Sequence, residues 1–162
     1  MVLLLSLSFA QEPTVTVTDN GVRATIVVHA EKEEVQKLLE DPEELYNLSP
    51  DIVSVEVVET KGHCQQVETA AKGVFNPIEF TELRCKNSQG VSQRLVGENE
   101  TFNRYNVNWT LREVDDGTEL TYELDASLAS PVPDRLMHEM AGDAARDQLA
   151  NIYARYERLR GK

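Results

Sequence analysis

The sequence predicts a single α+β domain in which an antiparallel β-sheet is followed by one long C-terminal helix. Three observations predict it. Apolar and polar residues alternate from Ile52 to Leu128, broken repeatedly by turn chemistry, while a helical stripe of apolar residues runs through the last 25 or so positions. The chain has 162 residues, 41% of them apolar and 27% charged, which suits one soluble domain with a real core.

The elements can be taken in order. Val15 and Val17 alternate with threonines, Asp19-Asn20-Gly21 supplies a turn, and Val22, Ala24, Ile26 and Val28 alternate with Arg23, Thr25 and Val27, giving strand, turn, strand. From Glu31 the period becomes helical. Val35, Leu38 and Leu39 share a face, and Glu33 and Glu34 occupy the first turn, where the helix dipole favours acids. Asp41-Pro42 ends that helix and opens a second short one around Glu43 to Leu48.

After Ser49-Pro50 six strands are predicted: Ile52 to Glu59, Gln65 to Lys72, Ile78 to Lys86, Val91 to Glu98, Phe102 to Val114 and Thr118 to Leu128. The connections are short, and parallel neighbours need long crossovers, so these strands must pair antiparallel. Centring the last hairpin on Asp116-Gly117 sets Leu111 opposite Tyr122, Trp109 opposite Leu124, Val107 opposite Ala126 and Tyr105 opposite Leu128. One face is then apolar. The other carries Asn106, Asn108, Thr110 and Arg112, as a sheet wetted on one side requires.

A hairpin centred between Val74 and Phe75 places Cys64 directly opposite Cys85, which predicts a cross-strand disulfide. Their separation does not fit a redox or zinc motif. Pro133-Asp134 opens the final helix, expected to run to about Arg160. Its stripe is Leu149, Ile152, Tyr153, Tyr156 and Leu159, continued upstream by Met137, Met140 or Ala141, and Ala144 or Ala145.

This element order, together with the stretch Val22 to Ala30 leading into a helix, Asp41-Pro42-Glu43-Glu44-Leu45 before Ser49-Pro50, and the Trp109 strand with its Asp-Asp-Gly hairpin, resembles the helix-grip fold of the START-like (SRPBCC) superfamily. That superfamily includes polyketide cyclase/dehydrase and lipid-transport proteins and coenzyme Q-binding START proteins. The resemblance covers roughly Val22 to Leu159. It implies a sheet curved around the last helix and a pocket between them.

The residues that would face such a pocket are Phe80, Tyr105, Val107, Trp109, Leu111, Tyr122 and Leu124 from the sheet, with Met137, Met140, Ala141 and Ala144 from the helix. Apolar walls with a few polar tips describe a binding cavity, and they equally describe a filled core. The mouth is expected near Phe75-Asn76-Pro77 and Ser130-Pro131-Val132-Pro133. The leading expectation is therefore binding or transport of a hydrophobic small molecule: a lipid, a quinone or a polyketide-like compound. The alternative is a cyclase/dehydrase-type enzyme using polar groups in the same cavity, with Arg94, Arg104 and Arg112 serving only if they point inward. No catalytic constellation is legible: His29, His63 and His138 are scattered, and no phosphate loop or nucleophile elbow occurs. No cofactor or metal is expected.

With 28 acidic and 16 basic residues, the formal charge is -12. Such a chain is repelled by phosphate backbones and anionic surfaces, so no nucleic-acid partner is expected, and the bland role of this charge is to keep a monomer soluble. The run Met1 to Ala10 reads as a signal peptide, with Ser8 and Ala10 as the small residues before a cleavage site. It lacks a basic start and is short, so a truncated leader and a buried strand both stay open as readings of it. On the first reading, residues 11–162 form the mature domain, secreted or periplasmic, without stable membrane insertion. The paired cysteines agree with that compartment.

Overall fold

A computed structural model describes residues 11–73 and 75–161. The expected leader lies outside the described residues. The chain forms β1 (Thr14–Val17), β2 (Gly21–Val28), α1 (Lys32–Glu40), α2 (Pro42–Tyr46), β3 (Ile52–Lys61), β4 (Cys64–Ala71), β5 (Ile78–Asn87), β6 (Gly90–Leu95), β7 (Phe102–Val114), β8 (Gly117–Leu128) and α3 (Asp134–Arg160). The strands make one curved antiparallel sheet in the order β1-β2-β8-β7-β6-β5-β4-β3. This is the helix-grip α+β fold, with α3 packed across β1, β2 and β8 and α1 against β6, β7 and β8.

Local chemistry explains the joints. Asp41 caps α2, its carboxylate accepting from Glu44 N at 3.1 Å, and Pro42 follows at the first helical position, where no N–H is needed. β6 is shorter than expected. It stops at Leu95 because Gly97 takes φ 69°, a left-handed conformation that ends the extended run.

Cys64 and Cys85 pair in the expected register and are joined by a disulfide. Closing that loop stabilises the fold by roughly 3 kcal/mol in the chain-entropy model. The β7–β8 register differs from expectation by two residues: Trp109 pairs with Tyr122, Val107 with Leu124, Tyr105 with Ala126, and Leu111 with Leu120. The turn is Asp115-Asp116, and Gly117 belongs to the strand. A Cβ on Gly117 would lie 2.0 Å from the Val28 carbonyl oxygen, so the glycine serves the approach of β2 rather than the turn. A shift of two keeps every side chain on its face.

The concave face carries the core, including Val22, Ala24, Ile26 and Val28 of β2, Val35, Leu38 and Leu39 of α1, and Leu149, Ile152, Tyr153 and Tyr156 of α3. Burial of the α3 stripe ends at Tyr156. Leu159, expected to continue it, is exposed in a last turn that also carries Arg158 and Arg160. The C-terminal half of α3 is fixed by polar ties: Asn151 donates to the Leu48 carbonyl at 2.8 Å, Tyr156 donates to the Glu34 carbonyl at 3.3 Å, and Arg155 pairs with Glu44. At the other end Asp134 accepts from Leu128 N at 3.2 Å. The stretch between these anchors is the part that faces a cavity.

Candidate ligand cavity

Between the N-terminal half of α3, the concave sheet and the segment before β5 lies a cavity of about 480 Å³, inside the range of small-molecule sites. Phe80, Tyr105, Val107, Trp109, Tyr122, Leu124, Met137, Met140, Ala141 and Ala144 all line it. Leu111 does not: it is buried in the closed core at the end of β7, against which α1 packs. Phe75, Asn76 and Pro77 on one side and Ser130 and Val132 on the other border the cavity, where the mouth was expected. Alanines at 141, 144 and 145 keep the helix side low, which leaves the space open. Phe80, Phe102 and Tyr105 pack as an aromatic group with ring centroids 5.1 to 5.5 Å apart.

The inner wall is polar, and sequence reasoning missed most of it. Glu82 of β5 is fully buried and accepts four hydrogen bonds. Tyr46 and Thr69 donate to Oε1, the latter at 3.2 Å, while Gln93 at 2.7 Å and Tyr105 at 3.2 Å donate to Oε2. Four is the full complement of an ionised carboxylate. Gln93 also donates to the Tyr46 hydroxyl at 2.7 Å and accepts from Trp109 Nε1 at 2.7 Å, so its amide is satisfied on both sides. Tyr46, Gln93, Tyr105 and Trp109 line the cavity, and Glu82 stands directly behind them.

Burial, and after it the Glu82 charge, holds the Tyr46 and Tyr105 hydroxyls well above their ordinary pKa, and the same two causes raise Tyr122. Arg84, two residues along β5, is also buried; it donates to the Leu39 carbonyl at 2.8 Å, and its guanidinium lies 5.7 Å from the centre of the Tyr46 ring. It opposes the effect of Glu82 at Tyr46, but it is not among the causes at Tyr105 or Tyr122.

A signal for this wall was present. Glu82 and Arg84 share strand parity with Phe80, which the sequence places inward, and Gln93 shares parity with Val91. On α3, Gln148 is buried and lines the cavity, and its Nε2 has no hydrogen-bond partner among the described residues.

The other candidate polar groups lie elsewhere. Arg104 pairs with Asp125 and Arg112 with Glu119 on the convex face, and Arg94 is exposed. His29 pairs with Glu157, His63 is exposed at a turn, and His138 is buried with Nε2 2.8 Å from the Ala126 carbonyl. Among the described residues no cluster of three or more His, Cys, Asp or Glu is placed to hold a metal ion, and no helix is long and apolar enough to cross a membrane.

Residues 20–157 match the sequence family described as polyketide cyclase/dehydrase and lipid transport. No curated protein sequence matches significantly. Among solved structures, a START superfamily protein from Mycobacterium smegmatis is 18% identical, with a TM-score of 0.73 over 85% of this chain and 97% of its own. An aromatase/cyclase from a Streptomyces species is 18% identical, TM-score 0.68, over 84% and 92%. A STAR-related lipid transfer protein from Xanthomonas axonopodis is 16% identical, TM-score 0.67, over 91% and 99%. At these identities the likeness is one of fold.

Proposed function

The chain belongs to the polyketide cyclase/dehydrase and lipid transport family, and from that premise we propose that it binds and carries a hydrophobic small molecule in the cavity between sheet and α3. The observation that carries this reading is an open space of about 480 Å³ walled by Phe80, Phe102, Tyr105, Val107, Leu124, Met137 and Ala141, at the place where a filled core would otherwise stand. Lipids, quinones and polyketide-like compounds are the candidate cargo.

One observation favours a second reading, a cyclase/dehydrase-type enzyme: polar groups converge on the cavity wall around Glu82. Their hydrogen bonding argues for the carrier. Every donor of that set is spent within it, on Glu82 or on the Tyr46 hydroxyl, and the carboxylate has no acceptor position left for a substrate proton.

The reading extends to location. The disulfide supports an oxidising compartment, so export, with Met1 to Ala10 as a leader removed from a monomeric carrier, is part of the proposal. Native mass spectrometry of the purified protein tests the carrier function: the expected result is a bound apolar molecule released on denaturation and absent from an Ala144→Phe variant. A folded protein that takes up no apolar compound from a lipid extract would refute it.

A further inference from the structure

The polar groups of the cavity fall into two sets. Tyr46 and Tyr105 spend their donors on Glu82, and Gln93 spends its two on Glu82 and the Tyr46 hydroxyl, so none is left for a ligand. Gln148 is different: its Nε2 donates to no acceptor among the described residues, although the residue lines the cavity and is only 7% exposed. Tyr122 lines the cavity beside it, and its hydroxyl takes no part in the four hydrogen bonds to Glu82. An unpaired buried amide is costly, and a bound group that pairs with it recovers that cost.

The charge of the wall restricts what that group can be. Glu82 is buried behind the inner lining, and neither Tyr122 nor Gln148 carries a cation that could hold an anion there. Arg84, buried on the same strand, does not line the cavity; its Nη2 donates to the Leu39 carbonyl, and its Nε and Nη1 have no partner among the described residues. At the mouth Lys72 is accompanied by Asp51 and Glu100, so acids outnumber the base on the rim as well. A carboxylate entering this space would lose its hydration next to a buried negative charge.

Resting on the carrier reading, we infer that the cavity selects an uncharged ligand whose carbonyl or hydroxyl oxygen pairs with Tyr122 and Gln148, and that it rejects carboxylates. Both protein groups can donate and accept, so a neutral oxygen of either kind is served. Fatty-acid anions are excluded as cargo, whereas ketones, quinones and alcohols of similar size are admitted.

Three rigid probes of one shape test this: fluorene, fluorenone and fluorenecarboxylate, titrated against the full chain at neutral pH and read through Trp109, the single tryptophan, which lines the cavity. Fluorenone is expected to bind about fivefold more tightly than fluorene, and the carboxylate about tenfold more weakly or worse. Gln148→Leu and Tyr122→Phe each lower the ratio of fluorenone to fluorene affinity from about fivefold toward one. Glu82→Gln admits the carboxylate. Because that variant can fail to fold, the wild-type protein provides a second measurement: affinity for the acid rises as pH falls through the ligand's own carboxyl pKa. Equal binding of all three probes, unaffected by Gln148→Leu, overturns the inference and leaves the carrier reading standing. Failure of every probe, fluorene included, overturns the carrier reading and this inference together.

Discussion

The indole N–H of Trp109 donates to the side-chain oxygen of Gln93 at 2.7 Å, joining the hydrogen-bonded wall around Glu82 to the aromatic lining of the cavity. Trp109 is 3% exposed, and Gln93 also donates to Glu82 and Tyr46. Gln93→Leu therefore leaves a buried indole N–H unpaired and removes one donor from the carboxylate. The expected loss is about 2 kcal/mol in urea unfolding, accompanied by a shift of the Trp109 emission. Unchanged stability and emission would contradict the network.

Glu82 accepts from four side chains, so the variants at this position rank by how many donors they leave unpaired. Glu82→Ala abandons all four at once and is expected to cost about 3 kcal/mol or more. Glu82→Gln keeps an acceptor oxygen and should cost less. Calorimetric melting of the two variants checks the order, and an Ala variant as stable as wild type would show that the wall does not hold the fold.

Alkaline pH tests the buried tyrosines. Burial and the Glu82 charge raise the folded-state pKa of Tyr46, Tyr105 and Tyr122 above the ordinary value of 10.0. A group with a raised folded pKa contributes its full stability below its unfolded pKa and loses it as pH climbs toward the folded value. Stability should thus be insensitive to these groups below pH 10 and fall above it, with phenolate absorbance from the three appearing only as the protein unfolds. Ionisation of all five tyrosines near their ordinary value in a protein that remains folded would contradict this burial.

The disulfide prediction is thermodynamic. Replacing Cys64 and Cys85 together by serine is expected to lower stability by about 3 kcal/mol and to leave the cavity intact, because neither cysteine lines it. Urea denaturation with a ligand titration on the same variant separates the two effects.

How far the sequence could be read depends on which property each element rests on. The Cys64–Cys85 register was legible because the turn residues from Gly73 to Pro77 fix the hairpin centre, and the two cysteines then fall opposite each other. The β7–β8 register was not, because a slip of two residues preserves the face of Trp109, Val107 and Tyr105. The deciding fact, the approach of the Val28 carbonyl to Gly117, is tertiary. Most of the cavity lining followed from parity and helical spacing, as Phe80, Trp109 and Ala141 illustrate. Glu82, Gln93 and Gln148 escaped because an inward polar residue looks like a break in the apolar pattern until its partners are known. Tyr46 escaped because its partner Glu82 lies 36 positions away.

The central claim is that the space beneath α3 holds an apolar ligand, and filling that space tests it most directly. Titrating fluorene against the wild-type protein and an Ala141→Phe variant, with Trp109 emission as the readout and melting as a control for folding, compares the same surface with and without the cavity. Saturable binding of one molecule by the wild type, abolished in a folded Ala141→Phe protein, is the predicted result. Identical titrations for the two proteins would place binding elsewhere and contradict the account.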